Sequence, residues 1–225
     1  MYILEGTIGA GKSTFLKLLA QQLPYITIKL EPLDNWQSQQ HGQSLLANFY
    51  QNPIRWAYTL ETFTLFCRIR EHMHEQETVM PTIVERSIYS GHSVFARNSY
   101  ESGFMTELEW DIYNQLFSFL AKNSQIPQGF IYLKVNPEIA FERIKKRNRS
   151  AEKTLSFDYL NQINKHHENF LINKSEILPQ LKNVPVLVLD CNDDFENDPS
   201  KFQQQCKQIQ DFFEQTEGVF KSSNL

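Results

Sequence analysis

Apolar residues fall along this chain in two alternating rhythms. Short, nearly unbroken apolar runs at 2–5, 25–30, 82–85, 130–135 and 185–189 read as strands. They lack polar alternation, which predicts parallel strands covered on both faces. Between them the apolar spacing lengthens to the helical period, predicting helices over about 12–22, 44–50, 55–78, 105–122, 137–147, 156–178 and 199–215. The alternation predicts an α/β fold of three layers, a five-stranded, mainly parallel sheet flanked by helices with right-handed crossovers. Nothing marks a linker, so one domain over 1–225 is expected.

Two helices carry further signals. The 55–78 segment places Trp56, Leu60, Phe63 and Cys67 at i, i+4, i+7 and i+11, a core stripe. The 105–122 segment carries Leu108, Trp110, Ile112, Tyr113, Leu116, Phe117, Phe119 and Leu120 on more than one face. Such a helix is either fully buried or docks a second subunit. Residues 37–44 read as a polar loop and 221–225 as a frayed tail.

Composition narrows the class. With 41% apolar and 21% charged residues, bulk disorder is excluded. A net charge of −4 argues against a dedicated duplex-DNA binder, which needs a basic face. Cys67, Cys191 and Cys206 form no CxxC pair, so neither a zinc ribbon nor a disulfide framework is predicted. No apolar stretch approaches a membrane span and no secretory leader is visible, so a soluble, cytoplasmic protein is expected.

The strongest chemical signal is Gly6-Thr7-Ile8-Gly9-Ala10-Gly11-Lys12-Ser13, which fits G-x-x-x-x-G-K-[ST] without deviation between a predicted strand and helix. Its glycines let backbone N–H groups face phosphate oxygens, and the helix adds its positive end. Lys12 reaches the β- and γ-phosphates, and the Ser13 hydroxyl is a Mg²⁺ ligand. A guanine-specific N-K-x-D is missing: Asn173-Lys174-Ser175-Glu176 lacks the Asp and lies in a helical pattern.

Three further clusters lie where open α/β sheets bind ligands. The third strand ends Glu85-Arg86-Ser87, so Glu85 can approach Mg²⁺ and Arg86 a phosphate or acceptor oxygen. A structural Glu–Arg pair is the commoner occurrence of such a tripeptide. The second strand ends at Glu31, where a carboxylate repels nucleotide unless it takes a proton from an attacking hydroxyl. An exposed strand-end Glu is the alternative. Arg143, Arg147 and Arg149 end a helix just before the flexible 150–156 segment, which suits a cationic lid over about 143–156. Basic residues offsetting a helix dipole are the plainer reading.

Together the chain resembles the deoxyribonucleoside kinases related to deoxycytidine, deoxyguanosine and mitochondrial thymidine kinases. The resemblance rests on GTIGAGKST (6–14), EPLDNW (31–36), NPIRWAYTLETF (52–63), ERSIYS (85–90), RIKKRNR (143–149), DYLNQINKHHE (158–168) and DCNDDF (190–195), in family order. It implies ATP as donor and Mg²⁺ as cofactor, with Thr14 completing the phosphate loop. It implies Glu31 as general base on a nucleoside 5′-hydroxyl, Arg86 orienting that hydroxyl, and Glu85 with Ser13 serving Mg²⁺. Arg143, Arg147 and Arg149 become lid cations, at least one meeting the transferred phosphoryl. Tyr50 and Glu152 match the pair on the sugar 3′-hydroxyl. Trp36, Leu46, Phe49 and Phe95 match the pocket wall, and Asp193, Asp194 and Phe195 the donor-base loop. A homodimer through the 105–122 helix is implied as well.

Two positions depart from the pattern. Glu61 replaces a base-reading Gln, and Gly91 an Asp; Arg68 is retained seven residues beyond Glu61. An ionised Glu only accepts hydrogen bonds. It suits guanine, which presents N1–H and N2–H₂, with Arg68 free for O6 or N7 and Gly91 widening the pocket. The expectation is therefore 5′-phosphorylation of a purine deoxynucleoside, deoxyguanosine first. A nucleoside monophosphate kinase of thymidylate kinase type and a non-catalytic nucleotide sensor are the rivals.

Overall fold

In the computed structural model, which describes residues 1–37, 44–73, 80–122 and 124–222, five strands form one sheet. They are β1 (Tyr2–Glu5), β2 (Thr27–Lys29), β3 (Thr82–Glu85), β4 (Gly129–Lys134) and β5 (Val186–Asp190), in the order β2-β3-β1-β4-β5. Every pairing is parallel, with Leu4 of β1 opposite Glu85 on one side and Ile131 on the other. Tyr2 and Leu4 point into one core and Ile3 into a second, all fully buried. Both faces are covered, which is why the strands show no polar alternation.

Helices α1 (Lys12–Gln22) and α10 (Pro199–Ser222) cover the Tyr2 and Leu4 face through Phe15, Leu16, Leu19, Phe212 and Phe213. Helices α4 (Pro53–Met73) and α7 (Glu107–Ala121) cover the opposite face through Leu60, Leu65, Tyr113 and Phe117. Each such buried side chain stabilises the layers by about 1.5–3 kcal/mol. The α7 helix is not buried all round: Leu108 and Phe119 are 69% and 68% exposed, and Ile112 and Leu116 lie on the same outward face.

The sequence pattern omitted two helical stretches. One is α2 (Asp34–Gln37). The other is a continuous run of α5 (Ile88–Ser90), a π-helical segment (Gly91–Ala96) and α6 (Arg97–Glu101). Serines, a glycine and a histidine give the second run poor helix propensity. It forms because Ser87 and Ser90 make a capping box and because Ile88, Tyr89, Val94 and Ala96 are buried. Helix α3 (Leu45–Gln51) starts on a Ser44 cap, and α8 (Pro137–Arg147) ends at left-handed Asn148. The expected 156–178 helix stops as α9 (Phe157–His167), continues as a π-helical Glu168–Ile172, and ends before left-handed Lys174. Residues 38–43 of the expected polar loop, 74–78 of the long helix and 223–225 of the tail lie outside the described residues.

No helix among the described residues is long and apolar enough to cross a membrane. No disulfide links the three buried cysteines. From β1 the chain passes to the β2–β3 side and then returns across to β4, so the topological switch lies at the C-terminal end of β1.

Candidate active site

The loop after β1 is shaped by its glycines. Gly9 and Gly11 sit at φ +84° and +88°, and a Cβ on Gly9 would lie 2.4 Å from the Ala140 carbonyl oxygen. Gly11 caps α1, leaving that helix's N-terminal N–H groups turned to the cleft. The Lys12 ammonium donates to the Gly6 and Thr7 carbonyls at 3.0 Å each. Burial, and then the nearby Arg86, push it down to about 7. An anion in the loop reverses that shift by pairing with the ammonium. Ile8, Gly9, Gly11, Lys12, Ser13 and Thr14 line the cleft, whereas Gly6, Thr7 and Ala10 shape the loop from behind.

Two strand-end carboxylates face this loop. The Ser13 hydroxyl donates to both Glu85 oxygens at 3.0 Å, and the Glu31 N–H reaches Glu85 at 3.4 Å. Glu31 does not turn outward as an exposed strand-end residue would. One of its oxygens meets Arg68 Nη2 at 2.5 Å, and the other meets Arg86 Nε at 3.2 Å. Burial works against its charge, but the two guanidinia outweigh burial and hold it below the usual carboxylate range. Arg86 itself has φ +64° and lies over the Phe95 ring at 4.5 Å. Strain of this kind persists only where surrounding structure enforces it.

The far end of the cleft, which holds about 960 Å³ including its open mouth, is walled by Trp36, Leu46, Phe49, Tyr50, Glu61, Arg68, Phe95 and Glu152. Burial lifts Glu61 to about 7 against the opposing pull of Arg68 and the Ser99 hydroxyl, which donates at 3.2 Å. Two expectations are corrected here. Arg68 is not wholly free to read a base: its Nη2 is held by Glu31, while its buried Nε has no hydrogen-bond partner. Gly91 does not line the pocket: a Cβ there would stand 2.6 Å from Arg68 Nη1, so it clears the space Arg68 occupies.

Of the lid arginines, Arg147 and Arg149 line the cleft, and Glu152 holds both, at 2.6 and 3.6 Å. Arg143 departs from its expected place over the phosphates. It donates to the Cys191, Asn192 and Asp193 carbonyls at 2.9–3.1 Å and so anchors that loop to α8. Asp193 pairs with Lys201, Asp194 accepts from the Glu196 N–H, and Phe195 is core, set edge-on to Phe15. None of these three lines the cleft. Leu33, Thr64 and Tyr159 line it without having been singled out, and Leu60, expected in a core stripe, lines it too. Leu60 and Thr64 share a helical face with Glu61 and Arg68, a spacing that could have revealed them.

A model of the deoxynucleoside kinase family matches residues 2–214 of the chain. Deoxycytidine kinase 2 of Gallus gallus is 35% identical over 93% of this chain and 88% of its own length. Mitochondrial deoxyguanosine kinase of Xenopus laevis is 36% identical over 86% and 82%, and deoxycytidine kinase of Homo sapiens 32% identical over 93% and 89%. With the phosphate loop, the strand-end carboxylates and the arginines gathered around one cleft, this chain belongs to the deoxynucleoside kinase family and is a deoxyribonucleoside kinase.

Proposed function

We propose that the enzyme transfers the γ-phosphoryl of ATP to the 5′-hydroxyl of a deoxynucleoside, with Glu31 accepting the hydroxyl proton. The observation that carries this is one cleft in which Lys12 and the buried, doubly ion-paired Glu31 both stand. Held ionised by two guanidinia, Glu31 keeps free lone pairs for an alcohol O–H. Such a base contributes about 10²–10⁴-fold. The loose transition state spreads charge over three equatorial oxygens, which Lys12, Arg86 and the cleft-lining Arg147 and Arg149 are placed to offset. The Ser13 hydroxyl and Glu85 carboxylate, hard oxygen donors in contact beside the phosphate loop, fit Mg²⁺. When bound, the ion supplies charge neutralisation on the donor phosphates.

Both cations at the acceptor end, Arg68 and Arg86, are ion-paired to Glu31, and Glu61 and Glu152 add further carboxyls to the same wall. Those carboxyls suit an uncharged sugar rather than a monophosphate. Tyr50 and Glu152 on the same wall supply polar groups for the 3′-hydroxyl. For the base, ionised Glu61 favours guanine. Its lifted pKa adds a second state, since the protonated carboxyl offers one donor and one acceptor, matching cytosine N3 and N4–H₂. The outward apolar face of α7 supports a homodimer formed through that helix.

The deciding experiment is Glu31→Gln, nearly isosteric. We expect kcat to fall by about 10²–10⁴-fold with an unchanged fold by circular dichroism. Full activity would remove Glu31 from the mechanism.

A further inference from the structure

Glu5, the last residue of β1, is fully buried and takes no part in the chemistry described so far. One carboxyl oxygen accepts from the Ser87 hydroxyl at 2.9 Å. The other has no hydrogen-bond partner and lies 4.0 Å from His167 Nε2, which has none either. His167 at the end of α9 is fully buried as well, and its Nδ1 meets the Ile163 carbonyl at 2.8 Å. A carbonyl only accepts, so Nδ1 carries a proton and neutral His167 presents Nε2 as an acceptor toward Glu5.

Two buried orphan atoms facing each other call for an explanation, since each unsatisfied group costs about 1–3 kcal/mol. A proton on the inner Glu5 oxygen points a donor at Nε2, and closing the 4.0 Å gap by about 1 Å turns the contact into a hydrogen bond that satisfies both. It also leaves no net charge in the interior, where an unpaired ion is costly. Burial favours the neutral form of each partner, raising Glu5 and depressing His167. The charged and titratable groups that act on the pair are Arg86 at the end of β3, Lys12 on α1, Arg68 on α4 and the neighbouring His166. Tyr132 of β4 stacks on the imidazole and reaches Glu168 at 3.4 Å.

The pair stands directly behind the site. Phe95 meets the His167 ring edge-on at 5.9 Å, and Arg86 lies over Phe95 on its way to Glu31. Arg86 Nη1 is itself buried without a partner. An ionised Glu5 would offer that nitrogen a competing carboxylate and draw the guanidinium away from Glu31. A protonated His167 would repel it.

We propose that Glu5 and His167 form a neutral acid–imidazole pair, the proton resting on Glu5 and directed at Nε2, which keeps the strained Arg86 directed at Glu31. They are positioning residues, and their kinetic effect rests on the role given to Arg86 above.

The test joins spectroscopy with substitution. In the ¹⁵N-labelled full chain, His167, assigned by its loss in His167→Gln, should show the neutral Nδ1–H tautomer unchanged from about pH 6 to about pH 8. An imidazolium pattern or a titration in that range overturns the proposal, whatever the activity. Glu5→Gln keeps a donor toward Nε2 and an acceptor for Ser87, so its kcat should stay within about threefold of the parent. Glu5→Leu keeps neither and should lose about 10–100-fold in kcat at little-changed nucleoside KM. Equal losses in the two Glu5 variants would mean that the charge itself matters, and would overturn the proposal. Should Glu5→Leu fail to fold, the spectrum and Glu5→Gln still decide. A failure confined to Glu31→Gln would sink the general base and leave this pair standing.

Discussion

If Glu61 reads the base as proposed, base preference becomes a function of pH, and the effect can be sized. With a pKa lifted by burial to about 7, its ionised share rises from about one tenth at pH 6 to about nine tenths at pH 8. The sign follows from the charged form lying above the pKa. Guanine requires the ionised carboxylate and cytosine the protonated one, so the two populations move about tenfold in opposite directions. The ratio of kcat/KM for deoxyguanosine over deoxycytidine should therefore climb by up to about 100-fold between those limits. Taking the ratio removes every group that both substrates share, Glu31 and Lys12 included. The assay is a competition between the two nucleosides at saturating ATP and Mg²⁺, read as the two monophosphates across the pH range. In Glu61→Gln, which carries a donor and an acceptor at every pH, the ratio should be flat. A flat ratio in the parent enzyme, or a rising one in the Gln variant, would refute the reasoning.

Arg68→Met removes one of the two guanidinia from Glu31. Removing it should raise that carboxyl's pKa by about 1–3 units, so that as pH falls the variant loses activity earlier than the parent. Ratios among the four nucleosides should hold in that variant; altered ratios would return Arg68 to base reading. Gly9→Ala meets the Ala140 carbonyl at 2.4 Å, whereas Gly103→Ala, at φ +72°, meets nothing within 4 Å. Gly103→Ala should cost about 1–2 kcal/mol of left-handed strain and Gly9→Ala clearly more in urea unfolding; equal losses would discard the steric account. Leu108→Glu with Phe119→Glu should convert a sedimenting dimer to monomer without loss of helicity. A parent that sediments as monomer would dismiss the α7 interface.

What the sequence made legible was whatever local pattern enforces. Strands covered on both faces announce themselves by unbroken apolar runs, and the phosphate loop by glycines that no other residue can replace without a clash. Glu31 and Glu85 could be placed because a strand's end in a parallel sheet has a known relation to the ligand crevice. The 88–101 run could not, since its helicity comes from burial and a capping box rather than from propensity. Arg143 was misplaced for a related reason. It shares one face of α8 with Arg147, but one turn earlier it meets the carbonyls of 191–193, contributed by a segment nearly fifty residues away.

Charge states were the least legible property, and they decide what the cleft can do. Glu5, Glu31 and Glu61 are the same side chain around one site; Glu5 and Glu61 are buried, and the Glu31 side chain is only 7% exposed. Glu31 sits between two guanidinia and is driven toward ionisation; Glu61 is driven toward neutrality by burial, which outweighs Arg68 and the Ser99 hydroxyl. Glu5, behind both, is raised by burial despite Arg86. Carboxyls pushed apart in this way suit different tasks, and those proposed for them are accepting a proton, reading a base and holding a proton. What separates them is where two arginines come to rest. The resting place of Arg68 depends on position 91 having no side chain, a condition that becomes visible only once helices distant in sequence are packed together.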